Sequence, residues 1–127
     1  MHAVPAPDWL DRQVGTGGAL LHLDLHPENV LLTDDGPVVI DWTNAARGPA
    51  EVDVADAWLV LSGARLDGPL VKAATVRAAQ GTFARLFRRA AGLDLGTALA
   101  LAADRRLADR NLSEPERHRI ERLARRG

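Results

Sequence analysis

The sequence has no cysteine and, among its 127 residues, a single lysine, Lys72. The first absence removes disulfide frameworks and thiolate chemistry, and it fits an intracellular setting. The second means that any mechanism needing a lysine must use Lys72 or take one from another chain. Long apolar runs are also missing, and none approaches the roughly 20 residues of a transmembrane helix. The first residues, Met1 to Asp8, lack the basic and apolar regions of a signal peptide. The expectation is a cytoplasmic protein without membrane contact.

What the sequence does have is the composition of a core-forming domain. It is 46% hydrophobic and 26% charged, with 16 basic against 17 acidic side chains and a net charge of −1. Such a balance argues against disorder, and the length suits one domain over residues 1–127. The charge is unevenly spread. Residues 1–63 carry ten acids and two bases (−8), whereas residues 64–127 carry seven acids and fourteen bases (+7). An acidic half is followed by an arginine-rich half.

The halves also differ in structural signals. Pro5, Pro7, Gly15, Gly17, Gly18, Pro27, Gly36, Pro37, Gly48 and Pro49 punctuate the first fifty residues. Among them lie short apolar runs at 19–23, 29–33 and 38–42. The last two flank the turn cluster Asp34-Asp35-Gly36-Pro37 and predict a β-hairpin. Asp8–Val14 reads as the last turns of a helix stopped by Gly15–Gly18, a glycine cluster that is a turn rather than a phosphate loop. From Glu51 the pattern is helical. Val52, Ala55, Trp58, Leu59 and Leu61 form the apolar face of a helix ending at Ser62-Gly63. A second helix is expected from Pro69 to about Ala91, with Val76, Phe83, Leu86 and Phe87 inward and Gly92 as its stop. A third is expected over 95–110, and a fourth from Ser113, where Ser113 and Glu116 have capping-box spacing. The three tryptophans are expected in the core or its platform. The fold class is α+β, mainly helical: a small β platform in front of a helical body.

The chemistry is concentrated in Leu21-His22-Leu23-Asp24-Leu25-His26-Pro27-Glu28-Asn29-Val30-Leu31-Leu32 and in Val38-Val39-Ile40-Asp41-Trp42. These combine His-x-Asp, an asparagine five residues after the aspartate, and a second aspartate at the end of an apolar strand. Phosphoryl transfer uses such a set. One carboxylate orients and deprotonates a hydroxyl, while an amide oxygen and another carboxylate hold magnesium on the nucleotide phosphates. A hairpin would bring Asn29 and Asp41 to its open end, and hard oxygen ligands suit magnesium.

This segment resembles the catalytic lobe of the aminoglycoside phosphotransferase and choline kinase family, which has a protein-kinase-like fold. His22, Asp24 and Asn29 match its His-x-Asp-x-x-x-x-Asn motif, and Ile40, Asp41 and Trp42 match its magnesium motif. Residues 46–55 are similar to its Gly-Asp-Pro-x-x-Asp-Leu-Ala segment, although Gly48 runs directly into Pro49 without the first aspartate. The resemblance implies the C-terminal lobe of that fold, with the catalytic loop and metal-binding hairpin at 19–50 and the helical body at 51–127. It implies Asp24 as catalytic base, Asn29 and Asp41 as magnesium ligands, and His22 and Asp53 as supports of the catalytic loop. ATP and Mg2+ would be the cofactors, and a small-molecule hydroxyl the substrate. The family's nucleotide-clamping lobe, with its lysine and glycine-rich loop, is expected to be absent. Only 21 residues precede His22, and Lys72 follows both motifs. Little activity is then expected of the chain alone, and an uncovered face should favour a second copy or a partner chain.

Three other readings use the same residues. Asp53 could simply cap its helix, where an acid favours the dipole. His22, Asp24 and His26 alternate, and on a strand they could share one face as the metal site of a hydrolase. Without chemistry, the chain would be a remnant serving as an interaction or oligomerisation module. Nucleic-acid binding by the arginine-rich half is not expected. Arg88-Arg89, Arg105-Arg106 and Arg125-Arg126 lie on predicted helices with nearby acids, which suits salt-bridged faces or a role in holding the acidic half.

Overall fold

The computed structural model describes residues 2–63, 82, 85, 86, 89 and 95–125. Among them are two small two-stranded antiparallel sheets and three helices, an α+β arrangement. Strands β1 (Ala19–Leu21) and β4 (Ala46–Gly48) form one sheet, with Leu21 opposite Ala46. Strands β2 (Val30–Thr33) and β3 (Gly36–Val39) form the other, with Val30 opposite Val39. The second sheet is therefore an excursion inserted between the two strands of the first.

The hairpin is tighter than the four-residue turn cluster suggested. Asp34 and Asp35 alone make the turn, Gly36 takes φ +111°, and Pro37 is drawn into β3 opposite Leu32. A proline is tolerated there because a two-stranded ribbon has no inner strand. The expected helix at Asp8–Val14 is not formed. That stretch runs extended beside the first sheet, with Val14 N–H donating to Arg47 O at 2.8 Å and Arg47 N–H to Arg12 O at 2.8 Å. Pairing with β4 outweighs the local helical signal. Gly15–Gly18 is a bend, and it is tightly packed. A Cβ on Gly17 would lie 2.5 Å from the Gly48 carbonyl carbon, and one on Gly48 would lie 2.3 Å from Val14 O.

Helix α1 (Ala50–Gly63) is the centre of the molecule. Val52, Val54, Ala55, Ala57, Leu59 and Leu61 are buried, so it is enclosed on more sides than one apolar face would require. Helix α2 (Gly96–Leu107) packs on it through Ala98, Leu99, Ala102 and Ala103, mostly alanines that allow a close approach. Helix α3 (Glu114–Ala124) contributes Ile120. It begins as its capping box predicts: the Glu116 carboxylate accepts from the Ser113 backbone N–H at 3.0 Å and from the Ser113 hydroxyl. Leu21 and Leu23 complete the core from the β side.

The expected second helix, with Lys72, lies largely outside the described residues. Thr82, Arg85, Leu86 and Arg89 are helical, and Leu86, expected inward, is exposed. Trp9 is also exposed, at 78%, because the segment carrying it runs along the sheet instead of folding into a core helix. No helix among the described residues is long and apolar enough to cross a membrane.

The glycine contacts generate a stability prediction. Gly48→Ala forces a methyl group into the Val14 carbonyl, which is backbone and cannot swing aside. Overpacking of this kind costs about 1–3 kcal/mol, so urea unfolding of Gly48→Ala should show that loss, whereas Gly18→Ala, with nothing within 4 Å of its Cβ, should not.

Candidate functional site

The topology alone gathers the motif residues. β1 ends at Leu21 and β4 begins at Ala46, and these two residues are paired, so the segments after β1 and before β4 start from the same end of that sheet. The inserted hairpin has its open end at Val30 and Val39. The junction of the two sheets therefore holds His22 to Asn29 on one side and Ile40 to Asn44 on the other. Two bonds stitch it together: Ile40 N–H donates to Asn29 O at 3.0 Å, and His22 Nε2–H donates to Ile40 O at 2.9 Å.

Asp53, in the first turn of α1, shapes the loop after β1. Its Oδ1 accepts from His22 N–H at 3.0 Å and from Leu23 N–H at 2.7 Å, and its Oδ2 accepts from His2 Nε2 at 2.8 Å. Its carboxylate is thus spent on the loop rather than on capping its own helix. Burial alone would raise the Asp53 pKa, but the His2 bond and the two backbone N–H groups outweigh it and hold the carboxyl below its usual range. The double acceptance has a conformational counterpart. Leu23 sits at φ +60°, a left-handed conformation that costs a non-glycine residue roughly 1–2 kcal/mol. Its side chain is fully buried, and full burial of a leucine is worth about 1.5–3 kcal/mol. Burial and the Asp53 bond together more than offset the strain.

The consequence is that the next residue, Asp24, emerges partly exposed. Its backbone carbonyl accepts from Asn29 Nδ2 at 3.0 Å, and its Oδ1 accepts from Arg106 Nη2 at 3.0 Å. Asn29 is buried, and its Nδ2 also donates to His26 Nε2 at 3.1 Å. The amide nitrogen is committed to the loop, and among the described residues no hydrogen bond occupies Oδ1. Asp41 is the second non-glycine residue in the left-handed region, at φ +58°, and its side chain is exposed. Its Oδ1 accepts from Thr43 Oγ1 at 2.5 Å and from Thr43 N–H at 3.4 Å. The Thr43 hydroxyl, then its N–H, hold this carboxyl below its ordinary value and therefore ionised. An uncommitted amide oxygen and an ionised, exposed carboxylate, both at the open end of one hairpin, are a donor set that fits a hard divalent cation. No group of three histidine, cysteine, aspartate or glutamate side chains suited to a metal exists among the described residues.

His22 is fully buried, its ring edge-on to Trp42 with centroids 4.8 Å apart. Among the described residues its Nδ1 has no hydrogen-bond partner. With His22 turned to Ile40 O and His26 to Asn29, the two rings and Asp24 do not converge on one point. The arrangement considered for a metal hydrolase is not assembled among the described residues, because β1 ends at Leu21 and Leu23 turns left-handed, so residues 22–26 do not form the strand it needs.

Two participants, Asp56 and His2, escaped the sequence reading, whereas the Arg105-Arg106 pair holds acids of the first half as expected. Asp56, one turn along α1 from Asp53, is fully buried. Arg106 binds it in a bidentate manner, Nε to Oδ1 and Nη2 to Oδ2, both at 2.8 Å, and Arg105 Nη1 adds a contact at 3.4 Å. Burial pushes the Asp56 carboxyl up, and the two arginines oppose that rise. Burial also acts against the charge of Arg106, but its bonds to Asp56 more than compensate and leave its pKa above the ordinary value. An acid inside an apolar helical run was the available signal, since such a group needs a buried partner. His2, the second, had no signal at all.

The segments carrying His22, Asp24, Asn29 and Asp41 are thus gathered at one junction beside the helical body. Residues 5–93 match the phosphotransferase enzyme family, APH, and the chain belongs to that family. Neither a curated protein nor a solved structure matches the chain.

Asp53→Ala leaves two buried N–H donors without an acceptor, at about 1–3 kcal/mol each. It should lower unfolding stability by roughly 2–4 kcal/mol, whereas Asp53→Asn, which keeps an acceptor oxygen, should lose less. Because the folded-state pKa lies below the unfolded value of 3.8, the contribution is complete above pH 3.8 and is lost as the pH falls through the folded value. Denaturant titrations across that range should show a steeper acid loss in the wild type than in Asp53→Asn. Superimposable acid limbs would refute the assignment.

Proposed function

We propose that the chain is the catalytic and metal-holding C-terminal lobe of a kinase-like small-molecule phosphotransferase. In this reading it directs the terminal phosphate of ATP to a substrate hydroxyl. The observation that supports it is the topology: the segments carrying Asp24, Asn29 and Asp41 come to one junction of the two sheets, and among the described residues Asn29 Oδ1 and Asp41 Oδ2 accept no hydrogen bond.

Each residue has a distinct task. Asp24 uses one carboxylate oxygen on Arg106 and leaves Oδ2 to accept the proton of the acceptor hydroxyl. The hydroxyl oxygen bonds to the terminal phosphorus as the bond to the bridging oxygen breaks, and ADP leaves. Asn29 and Asp41 would hold Mg2+, which neutralises charge on the phosphates when bound. Asp53 and His22 touch no reacting atom and act on the backbone of the loop. The family's nucleotide clamp is assigned to none of these residues, and a partner chain or second copy beside the site is part of the proposal.

Binding is the direct test. Mn2+ is a spectroscopic stand-in for Mg2+, and Mn2+·ATP uptake can be followed by electron paramagnetic resonance. Asn29→Ala and Asp41→Ala should each weaken it by at least the roughly tenfold that even an outer-shell change costs. Asp24→Asn should bind and fail to transfer phosphate. Uptake indifferent to both ligand substitutions would sink this reading and favour a noncatalytic interaction module.

A further inference from the structure

The family match ends at residue 93, yet a side chain from beyond it reaches the site. Arg106 lies in the last turn of α2, 82 residues after Asp24. Two bonds of 2.8 Å fix its guanidinium on Asp56, a fully buried carboxylate of the central helix. The guanidinium is planar and its donors diverge at fixed angles, so a fork seated on one carboxylate leaves little choice in where its remaining N–H points. Nη2 carries two hydrogens. One serves Asp56 Oδ2, and the other is aimed at Asp24 Oδ1, at 3.0 Å.

From this we infer that Arg106 is a positioning residue for Asp24, with Asp56 as its anchor. The guanidinium selects which carboxylate oxygen of Asp24 is tied down and which faces the acceptor. The Asp24 side chain is 32% exposed and follows a residue held in a strained conformation. Its only side-chain bond among the described residues is the one to Arg106. Without that bond the carboxylate is free to rotate, and a hydroxyl would meet it in several orientations rather than one. The role of Asp24 as base rests on the phosphotransferase reading; the clamp itself rests on geometry alone.

The competing account is that Arg106 merely neutralises Asp56 and touches Asp24 incidentally. Lysine separates the two, because it keeps the charge but cannot fork across two carboxylates. Carbodiimide coupling of the folded full-length chain to glycine ethyl ester, read by mass spectrometry, reports the freedom of each carboxylate. Asp41 serves as internal reference. In Arg106→Lys the labelling of Asp24 relative to Asp41 should rise about tenfold, the shift that loss of one charge-assisted hydrogen bond gives. Asp56→Asn, which removes the anchor, should raise it in the same direction. Unchanged labelling in a folded Arg106→Lys protein overturns the inference. So does a loss of Mn2+·ATP uptake in Arg106→Lys as large as in Asp41→Ala, which would signify collapse of the whole loop. The two proposals fail separately. If the wild type takes up no Mn2+·ATP while Arg106→Lys still frees Asp24, the phosphotransferase reading falls and the clamp stands.

Discussion

One carboxylate oxygen organises the molecule. Asp53 Oδ1, on the first turn of the buried central helix, accepts the backbone N–H groups of both His22 and Leu23. That double bond to consecutive residues holds Leu23 in a left-handed turn, and the turn directs Asp24 out of the core instead of into it. The loop, the hairpin beyond it and the placement of Asn29 all follow from where β1 is made to stop. An acid in such a position is costly to bury, and three donors are present to meet the cost: two from the loop and one from His2.

The two halves of the charge distribution meet in a second buried cluster. The acidic first half supplies Asp24 and Asp56, and the arginine-rich second half supplies Arg105 and Arg106. Part of that charge asymmetry is therefore specific pairing between the two halves. Removing one partner from a buried pair of this kind typically costs about 3–5 kcal/mol. The cluster also ties α2 to the β platform, so the helical body is part of the site's framework.

The parts of this structure that could be read from the sequence are those with local causes. Asp34-Asp35-Gly36 announces a hairpin, Ser113 and Glu116 announce a helix start, and the His22–Asp24–Asn29–Asp41 spacing announces the phosphotransferase family. Where the cause lies far along the chain, the reading fails. Residues 8–14 have a helical pattern, but a turn takes Asp8 and Trp9 and β4 claims residues 12–14 as an extended partner. Trp9 looks like a core residue, and its segment is carried out to the surface. His2 meets Asp53 across 51 residues and Arg106 meets Asp56 across 50, and no local pattern encodes either separation. The outlines of the helices after Glu51 that are described and of the hairpin were therefore legible, while the strand β4 and the distant partners His2 and Asp56 were not.

The distance along the chain between Asp24 and Arg106 has a consequence for how the protein comes into being. Contacts between remote residues form late, because the loop they close must lose its entropy before the contact rewards it. On a ribosome the acid is made 82 residues before the guanidinium that orients it. Neither two-stranded sheet would be stable by itself in water, so the early part of the chain emerges with its reactive groups already present but unarranged. The family-matched segment is complete at residue 93, and the clamp arrives thirteen residues later, at 106. Synthesis thus separates possession of the chemical groups from their command, and α2 is the helix that closes the circuit.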